Sequence, residues 1–166
     1  LSWDDTALPI ADGQHMPKIS DAARMLGALA LDPAHRVLEI GTGSIYQATV
    51  LAEMGAKVFT IERQKKLYEH NKKFVFKAKY PNIKFFYGDG FEGLPTFAPF
   101  DKIIITAAAP HIPLKLVEQL KIGGKMVLPL DENKHQRMLR ITKKEDGSLE
   151  EEAFENFSFV PMLKGR

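Results

Sequence analysis

The chain has no cysteine among its 166 residues. Disulfides, thiolate nucleophiles and cysteine-based zinc sites are therefore excluded, and a cytoplasmic setting is the expectation. It also lacks an excess of either charge: 23 basic and 21 acidic side chains leave a formal net charge of +2. Such a balance does not draw a protein to nucleic acid or to an anionic membrane surface, and neither is expected as a partner. No apolar run approaches the ~18 residues that would span a bilayer, and no leader-like segment is expected. His35, His70, His111 and His135 are scattered without ligand spacing, so no metal site is expected. Internal repeats and low-complexity linkers are missing too. That leaves one domain over residues 1–166, expected to be a monomer.

What is present is an ordinary globular composition, 45% apolar and 27% charged. Short β-rich runs alternate with helical stretches. Val37–Ile40, Lys57–Ile61, Ile83–Tyr87, Asp101–Ala107 and Lys125–Leu130 read as strands, the fourth apolar enough to be central. Between them the pattern predicts helices over 46–54, ended by Gly55, over 64–79 with Leu67, Phe74 and Ala78 on one face, and over 113–120, broken by Gly123 and Gly124. An amphipathic helix over 20–31 precedes them, with Ser20 as its N-cap. The tail differs: Arg137–Lys143 alternates, Asp146-Gly147 signals a hairpin, and Phe154–Met162 resumes extended structure. The fold class is therefore α/β, a doubly wound, mostly parallel sheet with an antiparallel C-terminal edge.

The stretch VLEIGTGSIYQA (37–48) is strand, glycine pair, helix. This arrangement aims free backbone N–H groups above the strand's carboxyl end, and glycine lets a ligand approach the backbone. Glu62 closes the second strand about 20 residues further on, where an acid can accept bonds from both ribose hydroxyls. A tight βα turn beside an unrelated glutamate would give the same residues, so the pair alone leaves both readings open.

The run Glu39, Gly41, Gly43 resembles the first motif of S-adenosylmethionine-dependent methyltransferases rather than a dinucleotide loop. An acid at Glu39 suits a cationic sulfonium better than a phosphate. GDG at 88–90 supplies a third station at a strand tip. The stretches LEIGTGS, YQA, TIER, GDG, APFDKIIITAAAP and FVPM, in this order, resemble the bacterial protein-L-isoaspartate O-methyltransferase family over almost the whole chain. The family's members usually carry a further N-terminal segment. The resemblance implies a Rossmann-like methyltransferase fold and transfer of a methyl group from S-adenosylmethionine to the free carboxylate of isoaspartyl residues in damaged proteins. It implies that Glu39, Gly41, Gly43 and Ser44 meet the methionine part of the cofactor, Glu62 the ribose, and Asp89 and Gly90 the adenine side. Gln14, His15 and Ala107 would lie by the substrate, with Thr106 and Ser20 as catalytic-site residues.

The sequence departs from the family at two places in this pocket. Ile45 stands where the family has a third glycine; a branched side chain there is expected to fill cofactor space and to disfavour positive φ. Pro17 stands where a serine is expected, leaving Ser20 as the nearest hydroxyl. Clustered on one pocket, the two changes raise an alternative: a scaffold of the same fold, remodelled so that cofactor binding is weak and methylation lost. A Schiff-base lysine at Lys18 beside His15 and a nucleic-acid face on the lysines of 64–79 are weaker readings than solvated charge.

Overall fold

The structure, a computed structural model, describes residues 19–43, 45–132 and 135–154. Within them the order is α1 (Ile19–Leu29), β1 (Arg36–Ile40), α2 (Tyr46–Glu53), β2 (Lys57–Glu62), α3 (Lys65–Ala78), β3 (Ile83–Tyr87), β4 (Phe100–Ile105), α4 (Leu114–Glu118), β5 (Leu120–Glu132), β6 (His135–Lys143) and β7 (Leu149–Phe154). One seven-stranded sheet carries them in the order β3-β2-β1-β4-β5-β6-β7. The first five strands pair in parallel, and β5–β6 and β6–β7 pair antiparallel. The expected sheet and its antiparallel edge are both there.

The central strands are buried on both faces, as parallel strands covered by crossover helices must be. Val37, Val58, Ile104 and Val127 join Met25 and Leu29 of α1 and Ala48 and Leu51 of α2 in one core cluster. Leu38, Ile40, Phe59, Ile103, Ile105 and Leu128 build the second, on the opposite face, with Leu116 of α4. Alternate residues of each strand thus feed opposite layers, which pins the register.

Four expectations need correction. Gly123 and Gly124 do not break the chain but lie inside β5, at a register irregularity between Phe100 and Lys102. A Cβ on Gly124 would lie 2.8 Å from the backbone oxygens of both Asp101 and Lys121, so glycine there allows close backbone approach within the strand. Helix α4 is correspondingly short. On α3, Phe74 is 46% exposed, and the buried stripe is Leu67 with Asn71, one turn apart. Ser20 lies inside the first turn of α1, which begins at Ile19, rather than capping it. The expected hairpin forms between β6 and β7, where the N–H of Lys144 donates to Ser148 O at 2.8 Å and that of Gly147 to Lys144 O at 2.9 Å. Of the expected extended run Phe154–Met162, residues 155–162, FVPM included, lie outside the described residues.

The sheet is wound outward from β1 in both directions, to β2 and β3 on one side and β4 and β5 on the other. The loops after β1 and β4 therefore diverge and leave a crevice at their carboxyl ends, where open α/β sheets bind ligands.

Candidate functional site

The loop after β1 is shaped by three residues with left-handed backbone: Gly41 (φ 87°), Gly43 (φ 57°) and Ile45 (φ 69°). At Gly41 the close neighbour is a protein atom. A Cβ would lie 2.9 Å from Oγ1 of Thr106, whose hydroxyl donates to Gly41 O at 2.8 Å and also approaches Ile40 O at 3.2 Å. Thr106, placed by the sequence at the transfer site, thus latches the tips of β1 and β4 together across the switch point. At Gly43 both peptide groups are held from outside the loop. Its N–H donates to Glu62 Oε1 at 3.0 Å, and its carbonyl accepts from Asn71 Nδ2 at 2.6 Å.

Ile45 corrects one expectation. Its side chain does not stand over the loop as an obstacle. It is 5% exposed and belongs to the core cluster of Ala48, Leu51 and Ala108. The backbone does adopt the positive φ that a β-branched residue disfavours, at the N-cap of α2 and with no side-chain capping bond. The departure from glycine therefore falls on backbone strain, not on cofactor volume.

Three acids line the carboxyl ends of the strands. Glu39 on β1 is fully buried, and burial pushes its carboxyl up to about 8, partly offset by the hydrogen bond from Thr60 and reinforced by the charge of Glu62. Thr60, its register partner on β2, donates to Oε1 at 2.6 Å, and the Thr42 hydroxyl lies 2.6 Å from that of Thr60. The other oxygen, Oε2, is buried with no partner among the described residues. Glu62 ends β2 and is 4% exposed. Burial raises its pKa, against the N–H groups of Gln64 (2.9 Å to Oε2) and Gly43, which favour the ionised form. Each of its oxygens keeps a second lone pair for a further donor. Asp89 lies just past β3, accepts from Phe91 N–H at 3.0 Å, and precedes the buried Gly90. The N–H of Gly88 donates to Glu62 O at 3.0 Å, so the tips of β2 and β3 are joined.

The structure thus brings together Glu39, Gly41, Gly43, Glu62, Asp89, Gly90 and Thr106, with Ala107 next in the chain. Gln14, His15, Pro17 and Ser44 lie outside the described residues, as does the side chain of Ser20. Sequence reading missed Asn71, Thr60 and Thr42. The signal for Asn71 was there: a polar residue on the apolar stripe, four places after Leu67. For the two threonines it needed the β1–β2 register.

These residues fit an adenosyl sulfonium ligand. The unpartnered Glu39 oxygen suits a cationic group, and the lone pairs of Glu62 suit a diol. A doubly wound sheet with a glycine loop after β1, an acid at the tip of β2 and an antiparallel C-terminal edge is the fold of the Rossmann-like methyltransferase class, shared by the solved relatives below. Within that class the chain belongs to the protein-L-isoaspartate(D-aspartate) O-methyltransferase family, whose family model matches residues 1–166. It is 47% identical to a protein-L-isoaspartate O-methyltransferase of Cytophaga hutchinsonii over 162 residues, covering 98% of this chain and 73% of that protein. A relative of the same name from Dictyoglomus thermophilum is 46% identical over 165 residues, 99% of this chain and 74% of that protein. Among solved structures, a protein-L-isoaspartate O-methyltransferase superposes with a TM-score of 0.87 at 28% identity, over 95% of this chain. This chain spans about half of that one, 52%. A putative Plasmodium falciparum relative, solved with S-adenosyl-L-homocysteine, shares the fold at a TM-score of 0.79 and 24% identity, over 98% of this chain and 82% of that one.

Proposed function

We propose that the chain transfers a methyl group from S-adenosylmethionine to the free carboxylate of isoaspartyl residues in proteins. The observation that carries this is the doubly held Gly43 peptide next to Glu62, with a buried and unpartnered Glu39 oxygen joined to the same loop through Thr60 and Thr42. When bound, S-adenosylmethionine supplies a methyl group activated by its sulfonium charge. Glu62 accepts from the ribose, Asp89 and Gly90 border the adenine side, and the Gly41–Gly43 backbone with Glu39 receives the cationic amino-acid end.

The accepting carboxylate is ionised at pH 7 and needs no general base. The protein's work is then alignment of oxygen, methyl and sulfur, and exclusion of water. Thr106 fits this division of labour. Its proton is committed to backbone carbonyls, so it borders the transfer site as a shape-setting residue and has no hydrogen left to donate to the substrate carboxylate. Ala107, beside it, presents only a methyl group. Gln14 and His15 are read as substrate-side residues, Ser20 as a catalytic-site residue, and Ser44 as part of the cofactor loop.

The finer reading is a monomer acting in the cytoplasm without nucleic acid or membrane partners. It is supported by the balanced charge of +2 and by the absence, among the described residues, of any helix long and apolar enough to cross a membrane. No observation favours the non-methylating alternative. The test is methyl transfer from labelled S-adenosylmethionine to a matched pair of peptides, one isoaspartyl and one aspartyl. Base-labile label on the isoaspartyl peptide alone is expected. Label on neither peptide, from folded protein, rejects the assignment.

A further inference from the structure

We infer that Asn71 is a positioning residue for the cofactor: from α3 it holds the Gly43 peptide in its binding shape, against the tendency of Ile45 to leave the left-handed region. The inference rests on the cofactor reading above.

Three observations carry it. First, Asn71 is 1% exposed, and its amide donates to Gly43 O at 2.6 Å, while Glu62 takes the N–H of the same residue at 3.0 Å. Both ties run from the β2–α3 unit, and the Gln64 N–H that fixes the other oxygen of Glu62 is at the N-cap of α3. The loop is thereby referred to one rigid body. Second, Asn71 occupies an apolar position. It shares its helix stripe with Leu67, which is 2% exposed, and burying an amide there costs free energy that a leucine would not. Stability alone does not select asparagine at this place. Third, Ile45, two residues beyond Gly43, holds φ 69° without a capping side chain. A β-branched residue disfavours that region; burial of the Ile45 side chain anchors the α2 end of the loop, and the Asn71 and Glu62 ties hold its Gly43 end when no ligand is bound.

The test compares the parent with Asn71→Leu, which keeps the same branched skeleton of heavy atoms but has no donor. Three quantities are read: unfolding temperature, affinity for S-adenosylhomocysteine, and hydrogen exchange of the Gly43 and Ile45 amides. The leucine variant is expected to keep the parent's unfolding temperature, to exchange these amides faster, and to bind about 3- to 10-fold more weakly, the value of one hydrogen bond. In an Ile45→Gly background, where positive φ carries no strain, the same substitution is expected to weaken binding by a smaller factor. Unchanged exchange and affinity overturn the inference. So does a loss of affinity that appears only with a matching fall in unfolding temperature, because a merely structural amide would give that pattern. Should the leucine variant fail to fold, Asn71→Ala carries the same comparison. Failure of the parent itself to bind S-adenosylhomocysteine rejects the methyltransferase reading instead, and the exchange rates still decide whether Asn71 holds the loop.

Discussion

Thr60 donates its hydroxyl to Glu39 Oε1 at 2.6 Å, and this is the only partner the buried carboxyl has among the described residues. One hydrogen bond does not replace the water that an ionised carboxylate loses on burial. The native state therefore holds Glu39 protonated, with a pKa of about 8 against an ordinary 4.5. The sign follows from proton counts. Between those values the folded protein binds more protons than the unfolded chain, so stability falls as pH rises through this window. Glu62 is shifted in the same direction and adds to the slope. Urea unfolding at about pH 6 and about pH 9 is expected to show the parent weaker at the higher pH, and Glu39→Gln to remove most of the difference.

The same group couples ligand charge to protons. A cationic cofactor beside Glu39 favours the ionised carboxylate, so binding near neutral pH is expected to release a proton. Affinity should then rise with pH and level off above about 8, the pKa of the free site. Calorimetry with S-adenosylmethionine in buffers of different ionisation enthalpy checks this. The apparent enthalpy is expected to change with buffer for the parent and to stop changing in Glu39→Gln.

Two opposing effects meet at Ile45. Removing its side chain loses core burial, which costs about 2–5 kcal/mol for large-to-alanine changes. The left-handed backbone is meanwhile unfavourable for any residue with a Cβ, by about 1–2 kcal/mol. Burial is the larger effect, so Ile45→Ala and Ile45→Gly are both expected to be less stable than the parent. Ile45→Gly is expected to exceed Ile45→Ala by about 1 kcal/mol, the reverse of ordinary helix preference. Equal stabilities would mean that the loop relaxes out of positive φ.

Gly41 is constrained by its neighbour. Its φ of 87° and the 2.9 Å that would separate a Cβ from Thr106 Oγ1 both exclude a larger residue. Gly41→Ala is expected to destabilise by roughly 1–3 kcal/mol. Thr106→Val, which loses the latch but keeps the shape, is expected to cost about 1 kcal/mol, and Thr106→Ser to recover it. Because no proton passes through Thr106, its removal is expected to lower methyl transfer by no more than about tenfold.

Much of this was legible in the sequence for identifiable reasons. Strand cores such as VLEI and DKIII are apolar on both faces, which only a covered parallel strand tolerates. The glycine loop and Glu62 were legible because their spacing is set by one βαβ unit. Gly123 and Gly124 misled because glycine marks a strand irregularity as readily as a helix stop. Ile45 misled in a different way: composition shows that a glycine is missing from the motif but not which way the replacement points. That depends on a backbone angle, which sends the side chain into the α1–α2 core. Asn71 and Thr60 act across elements, and only the assembled sheet brings them to the loop.

Isothermal titration of the folded chain with S-adenosylhomocysteine tests the central claim most directly. With the Ile45 side chain in the core and the Gly43 peptide held by Glu62 and Asn71, a dissociation constant in the micromolar range is expected, along with a marked loss of affinity in Glu62→Ala. A folded protein that releases no heat on titration, and gains binding only on Ile45→Gly, would contradict it.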